Sequence, residues 1–165
     1  MRTRGLAFAV PLAVATVLIL SGNLSRADDS FTCPVTKIPD PPFVPPAPWI
    51  ARDYWYGTEK LWTLLDPGRW EAREDSDRGY KVPKIVWWSR AYDWKKEPNP
   101  ALTITGRRLD GPSAPLIFDG ANNAYIEGRG SFMTSSVHLP TLGCWEVTAH
   151  YKGTDLTFVV KVPRL

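Results

Sequence analysis

Beyond about residue 57, apolar and polar residues tend to alternate with a period of two, and no stretch sustains the 3.6-residue period of an amphipathic helix. The runs "TEKLWTLL" (58–65), "KVPKIVWWS" (81–89), "ALTITGRRL" (101–109) and "SFMTSSVHL" (131–139) are each bounded by Gly, Pro or Asn clusters, the usual punctuation of strands. "DPG" (66–68) supplies a turn, because proline pre-sets φ at one position and glycine accepts a positive φ at the next. The acidic "EAREDSDRG" (71–79) reads as a loop. Strands at this spacing predict an all-β sandwich rather than a parallel α/β sheet.

The closing stretch "GCWEVTAHYKGTDLTFVVKV" (143–162) predicts a hairpin whose register can be tested by parity. With Gly153 and Thr154 at the tip, Trp145, Val147, Ala149 and Tyr151 face Val162, Val160, Phe158 and Leu156, an entirely apolar side. The other side pairs Glu146 with Lys161, Thr148 with Val159, His150 with Thr157 and Lys152 with Asp155. A slip of one residue would turn one strand's apolar set to solvent. Cys144 then lies on the face opposite Trp145 and points away from the main core.

Upstream, residues 1–27 have the layout of a secretory signal: Arg2 and Arg4, an apolar run from Leu6 to Leu20, and "SRA" at the cleavage position. An uncleaved anchor is the alternative. The net charge of +3 is accounted for by Arg2, Arg4 and Arg26, so the remaining chain balances 17 basic against 17 acidic residues. No cationic surplus is left to neutralise phosphates, which argues against a nucleic-acid partner. "CPVTKIPDPPFVPPAP" (33–48) holds seven prolines, which exclude helix and cannot supply ladder hydrogen bonds. It predicts an extended arm lying along the domain, with a proline-rich ligand for a partner as the alternative. The expected organisation is a signal at 1–27, a proline-rich arm at 28–52 and a β-sandwich at 53–165.

Cys33 and Cys144 are the only cysteines, and in an exported chain they are expected to form one disulfide that ties the arm to the outer side or rim of the sheet. Two free thiols are the alternative.

"CPVT", "YGTEKLWTLL" followed by "DPG", "LTITGRRLDGPSAPL" and the closing "GCWEVT…LTFVV" resemble a group of uncharacterised exported bacterial proteins. The resemblance runs from Cys33 to about Val162 and implies a bacterial exported protein with an immunoglobulin-like antiparallel β-sandwich. It brings no activity, so no functional residues carry over. The segment "SRAYDWKKEPNP" (89–100) departs from the group as a longer insertion.

Catalytic chemistry finds little support. His138 and His150 are the only histidines, both read as ordinary sheet-surface residues, and no G-x-S-x-G, H-E-x-x-H or phosphate loop occurs. "DSDRG" (75–79) opens like a calcium loop but lacks its closing glutamate, so no metal is expected there. No cofactor is implied, and the chain reads as a non-enzyme. The eight tryptophans are the positive hint. Successive strand residues point to opposite faces, so Trp87 and Trp88 cannot both enter one core. An exposed aromatic patch drawn from Trp87, Trp88, Tyr92 and Trp94 would suit a glycan or a protein partner. The competing expectation is that the proline-rich arm covers the outward ring. The sequence thus predicts a monomeric exported protein, periplasmic or extracellular, with a binding or structural role. It would meet a membrane only through its signal before cleavage, and glycan binding is the second reading.

Overall fold

The computed structural model describes residues 31–45 and 54–165. The expected signal at 1–27 lies outside the described residues, as do 28–30 and 46–52 at the two ends of the arm and residue 53 at the start of the expected sandwich. The described residues carry nine strands: β1 (Trp55–Thr58), β2 (Leu61–Leu64), β3 (Arg73–Asp75), β4 (Gly79–Trp88), β5 (Thr103–Arg108), β6 (Ile117–Ile126), β7 (Gly130–Leu139), β8 (Gly143–Tyr151) and β9 (Thr154–Val162). A 3-10 turn occupies Pro67–Arg69, where the Asp66 side chain accepts the Gly68 N–H at 3.1 Å.

The strands form two antiparallel sheets, one ordered β1-β2-β4-β7-β6 with β3 also pairing β4, the other β5-β8-β9. Alternation along β4 sends Ile85 and Trp87 inward and Val86 and Trp88 outward. The inward set meets Ile104, Trp145, Val147, Ala149 and Phe158 of the smaller sheet in one core. Phe158 sits at its centre, edge-on to Trp70 at 5.2 Å and tilted against Trp87 at 6.1 Å. The fold is an all-β sandwich, as the strand spacing predicts.

The larger sheet carries a second apolar layer on its outer face: Trp55, Trp62, Leu64, Val86, Trp88 and Phe132. The arm reaches it. Phe43 packs against Trp62 with ring centroids 5.7 Å apart, and earlier in the arm Thr36 binds both backbone groups of Val159 on the free edge of β9. Cys33 and Cys144 are joined as a disulfide. Cys144 is on the face away from Trp145, as expected, but the arm leaves it buried.

Several expectations are corrected. The closing hairpin turns at Lys152 and Gly153, with φ of 45° and 75°, one residue before the expected tip. Trp145 therefore faces Val160, Val147 faces Phe158 and Tyr151 faces Thr154. A two-residue turn with positive φ at both positions matches the right-handed twist of the strands, and a few tenths of a kcal/mol from exposed charge pairs do not outweigh it. The pairing differs by two residues, so every side chain keeps its face. Lys161 loses Glu146 as a partner, and Glu146 instead binds Arg107 of β5 at 2.7 Å. "TEKLWTLL" is not one strand, because Glu59 and Lys60 form the turn between β1 and β2. The acidic stretch expected to be a loop contains β3, and β6 carries little strand signal of its own because the middle of "IFDGANNAYI" is poor in strand formers. β6 is held instead by its pairing with β7, broken by a bulge between Phe118 and Ala121.

Candidate functional site

Pro83 interrupts β4, and a proline inside a paired strand is accommodated at a bulge because it has no N–H to give. The β4–β7 register shifts between Val82 and Ile85, and Lys84 takes a φ of 53° there. Bulges re-aim side chains. Here Lys84 borders a cavity of about 200 Å³ on the outer face of the larger sheet. Its walls are Trp55 from β1, Leu64 from β2, Val86 and Trp88 from β4, Ile126 from β6 and Phe132 from β7. Arg69, from the 3-10 turn after "DP", completes the rim.

The lining residues are apolar apart from Arg69 and Lys84. Trp55 is 2% exposed and its indole N–H has no acceptor; the Arg69 Nε–H is likewise buried without one. Among the described residues neither Arg69 nor Lys84 has an acidic partner, and no carboxylate lines the cavity. Its chemistry suits a small ligand with an apolar body.

The expected aromatic patch is not formed as an exposed surface. Trp87 is 0% exposed in the inter-sheet core and donates its indole N–H to Ser135 at 2.9 Å. Trp88, at 5%, is on the opposite face as parity requires, but Trp55 packs edge-on against it at 5.0 Å and Phe132 at 5.9 Å. Tyr92 is 5% exposed, edge-on to Tyr151. Trp94 is half-buried and stacks on Tyr125 at 5.3 Å, with Lys95 over its ring at 5.7 Å. The physical reason is the extra apolar layer: β1 and Phe132 cover a ring that a single solvated sheet face would have left open. Of the four, Trp88 alone lines the apolar cavity, whose other walls carry no local sequence signal.

Tyr92 borders a second, more open basin of about 520 Å³ with Arg90, Asp93, Lys96, Glu97, Ser131 and Lys152. Its charges are already paired: Arg90 with Glu59 at 3.0 Å, Lys96 with Asp93 at 3.2 Å, and Lys152 with Glu97 at 2.7 Å. The Tyr92 hydroxyl is buried without a partner; burial, and then the negative charge of Glu97, push its pKa up to about 12.

His138 differs from the simple surface position expected, while His150 keeps its outer-face position and only changes cross-strand partner from Thr157 to Asp155. His138 is 3% exposed; its Nε2 lies 2.6 Å from Asp119 and its Nδ1 3.2 Å from Asp75, the latter outside hydrogen-bonding geometry. Burial works to raise the Asp119 carboxyl, but His138 and Arg78 outweigh it and hold the group below its ordinary value. His150 is exposed and hydrogen-bonds Asp155 across the closing hairpin. Neither imidazole contacts a hydroxyl or thiol nucleophile among the described residues.

Asp75 of the acidic "DSDRG" stretch is the carboxylate that faces His138, and Arg78 of the same turn binds Asp119. Among the described residues, no group of three or more His, Cys, Asp or Glu is placed to hold a metal, and no helix is long and apolar enough to cross a membrane. Comparison of the chain with models of known families, with curated proteins and with solved structures gave no match.

Proposed function

We propose that this is an exported, non-catalytic, monomeric bacterial protein, immunoglobulin-like in its sandwich, that works in the periplasm or outside the cell by binding a small apolar ligand. The observation that carries the reading is the outer-face cavity of about 200 Å³. A comparable apolar cavity of about 150 Å³ accepts benzene, so a single ring or a short alkyl chain fits. Export is supported by the signal-like leader and by the Cys33–Cys144 bond, which persists in oxidising compartments. The non-catalytic reading is supported by the histidines, whose described partners are carboxylates alone. The resemblance to exported bacterial proteins belongs to the same proposal.

Titration with 2-phenylethanol, followed through tryptophan fluorescence, tests the cavity because Trp55 and Trp88 form its walls. Saturable quenching in the native protein, abolished by filling the space with Val86→Phe, is the expected result. A native protein whose fluorescence responds only linearly up to the solubility limit would overturn the reading.

A second reading, glycan binding, rests on the Trp94–Tyr125 stack, where Tyr125 is 49% exposed beside the polar basin. It ranks behind because the basin's charged groups already satisfy one another. Glycan-array binding lost in Tyr125→Ala would reverse that order.

A further inference from the structure

The cavity is bordered by two cations, Arg69 and Lys84. No carboxylate answers either of them among the described residues. An apolar cavity bordered by two cations, with no carboxylate among the described residues that line it, calls for a negative group on its ligand. Asp66, the acid in the turn that carries Arg69, is engaged with the Gly68 N–H and does not line the cavity. Lys84 takes its φ of 53° in the bulge after Pro83, which re-aims its side chain.

Resting on the cavity reading above, we infer that the ligand is a small organic anion: one aromatic ring or a short alkyl chain ending in a carboxylate. The apolar body lies against Val86, Trp88 and Phe132. The carboxylate is held between the Arg69 guanidinium and the Lys84 ammonium, which border the cavity. In an apolar surround, such charge-assisted bonds are about twice as strong as neutral ones. A cation of the same shape would meet two positive side chains instead.

The test compares phenylacetate, 2-phenylethanol and 2-phenylethylammonium on the full folded protein, by calorimetry and tryptophan fluorescence at low salt. The acid is expected to bind at least tenfold tighter than the alcohol, and the amine not at all. Arg69→Met and Lys84→Gln should each bring the acid towards the alcohol's affinity and leave the alcohol's unchanged. Lys84→Gly, which relieves the positive-φ residue, should hold or raise Tm while acid affinity falls, an outcome that a merely structural lysine would not give. Equal affinities for acid and alcohol, with both variants silent, overturn the anion while the apolar cavity stands. Binding of none of the three removes the cavity reading itself. Two further outcomes also overturn the inference: ligand binding that appears only in Trp49→Ala, showing that segment 46–53 fills the cavity, or only on dilution of a dimer, showing that a second copy does.

Discussion

The Asp110 carboxylate accepts the backbone N–H of Cys144 at 3.0 Å while its other oxygen takes the Arg108 guanidinium at 2.6 Å. The "GRRLD" and "GCW" elements, 34 positions apart at these two residues, are therefore one structural unit that positions the disulfide. Burial works to raise the Asp110 carboxyl, but Arg108 and the Cys144 N–H outweigh it and hold the group below its ordinary 3.8. A depressed carboxyl contributes stability that is complete above the unfolded value and is lost as pH falls through the folded one. Urea unfolding of the native protein should thus weaken as pH drops below about 3.8, and Asp110→Asn should flatten that fall. Asp110→Ala, which leaves the Cys144 N–H unanswered, is expected to lose about 1.5–3 kcal/mol at neutral pH.

Replacing both Cys33 and Cys144 by alanine releases a closure of 111 residues. The chain-entropy argument gives about 4–5 kcal/mol for a loop of that length, so urea unfolding should shift by a large part of a small domain's stability. An unfolding midpoint unchanged from that of the oxidised native protein would contradict this. Intact mass should rise by about two daltons on reduction, one hydrogen at each sulfur.

Gly106 of "GRRLD" has no room for a side chain. A Cβ there would lie 2.3 Å from Leu116 Cδ2 and 2.9 Å from the Glu146 carbonyl. Gly106→Ala is expected to destabilise by about 1–3 kcal/mol through overpacking. Combined with Leu116→Ala, which removes the nearer obstacle, the two losses should fall short of their sum in a double-mutant cycle.

Gly153 gives the contrasting case. Nothing lies within 4 Å of a Cβ built on it, yet its φ is 75°. Gly153→Ala is expected to lose about 1 kcal/mol from conformation alone, with no second-site rescue by trimming a neighbour. Thermal melts of the single variant and of combinations with nearby truncations separate the two mechanisms.

The inner faces of β4, β7, β8 and β9 were readable because a period of two marks them directly, and parity placed Trp87, Trp88 and Cys144 correctly despite a wrong turn. What could not be read depends on distant partners. Trp88 gives no local sign that Trp55 and Phe132 will cover it, and His138 gives none that Asp75 and Asp119 will flank it from two other strands. The cavity draws on five strands and one turn, so no motif contains it. Its one local trace is Pro83, since a proline inside an otherwise good strand announces the bulge that carries Lys84.

The position of the two cysteines also sets a clock. Cys33 is synthesised with no partner, and 111 further residues must follow before Cys144 exists. At the ordinary 5–20 residues per second of synthesis, the first thiol waits roughly 5–20 seconds. From the completion of β9 until the bond forms, the proline-rich strap is held to that strand's free edge by the hydrogen bonds of Thr36 with Val159 and by no covalent tie. The speed with which oxidation follows synthesis decides how long the strap of each new molecule depends on those bonds alone.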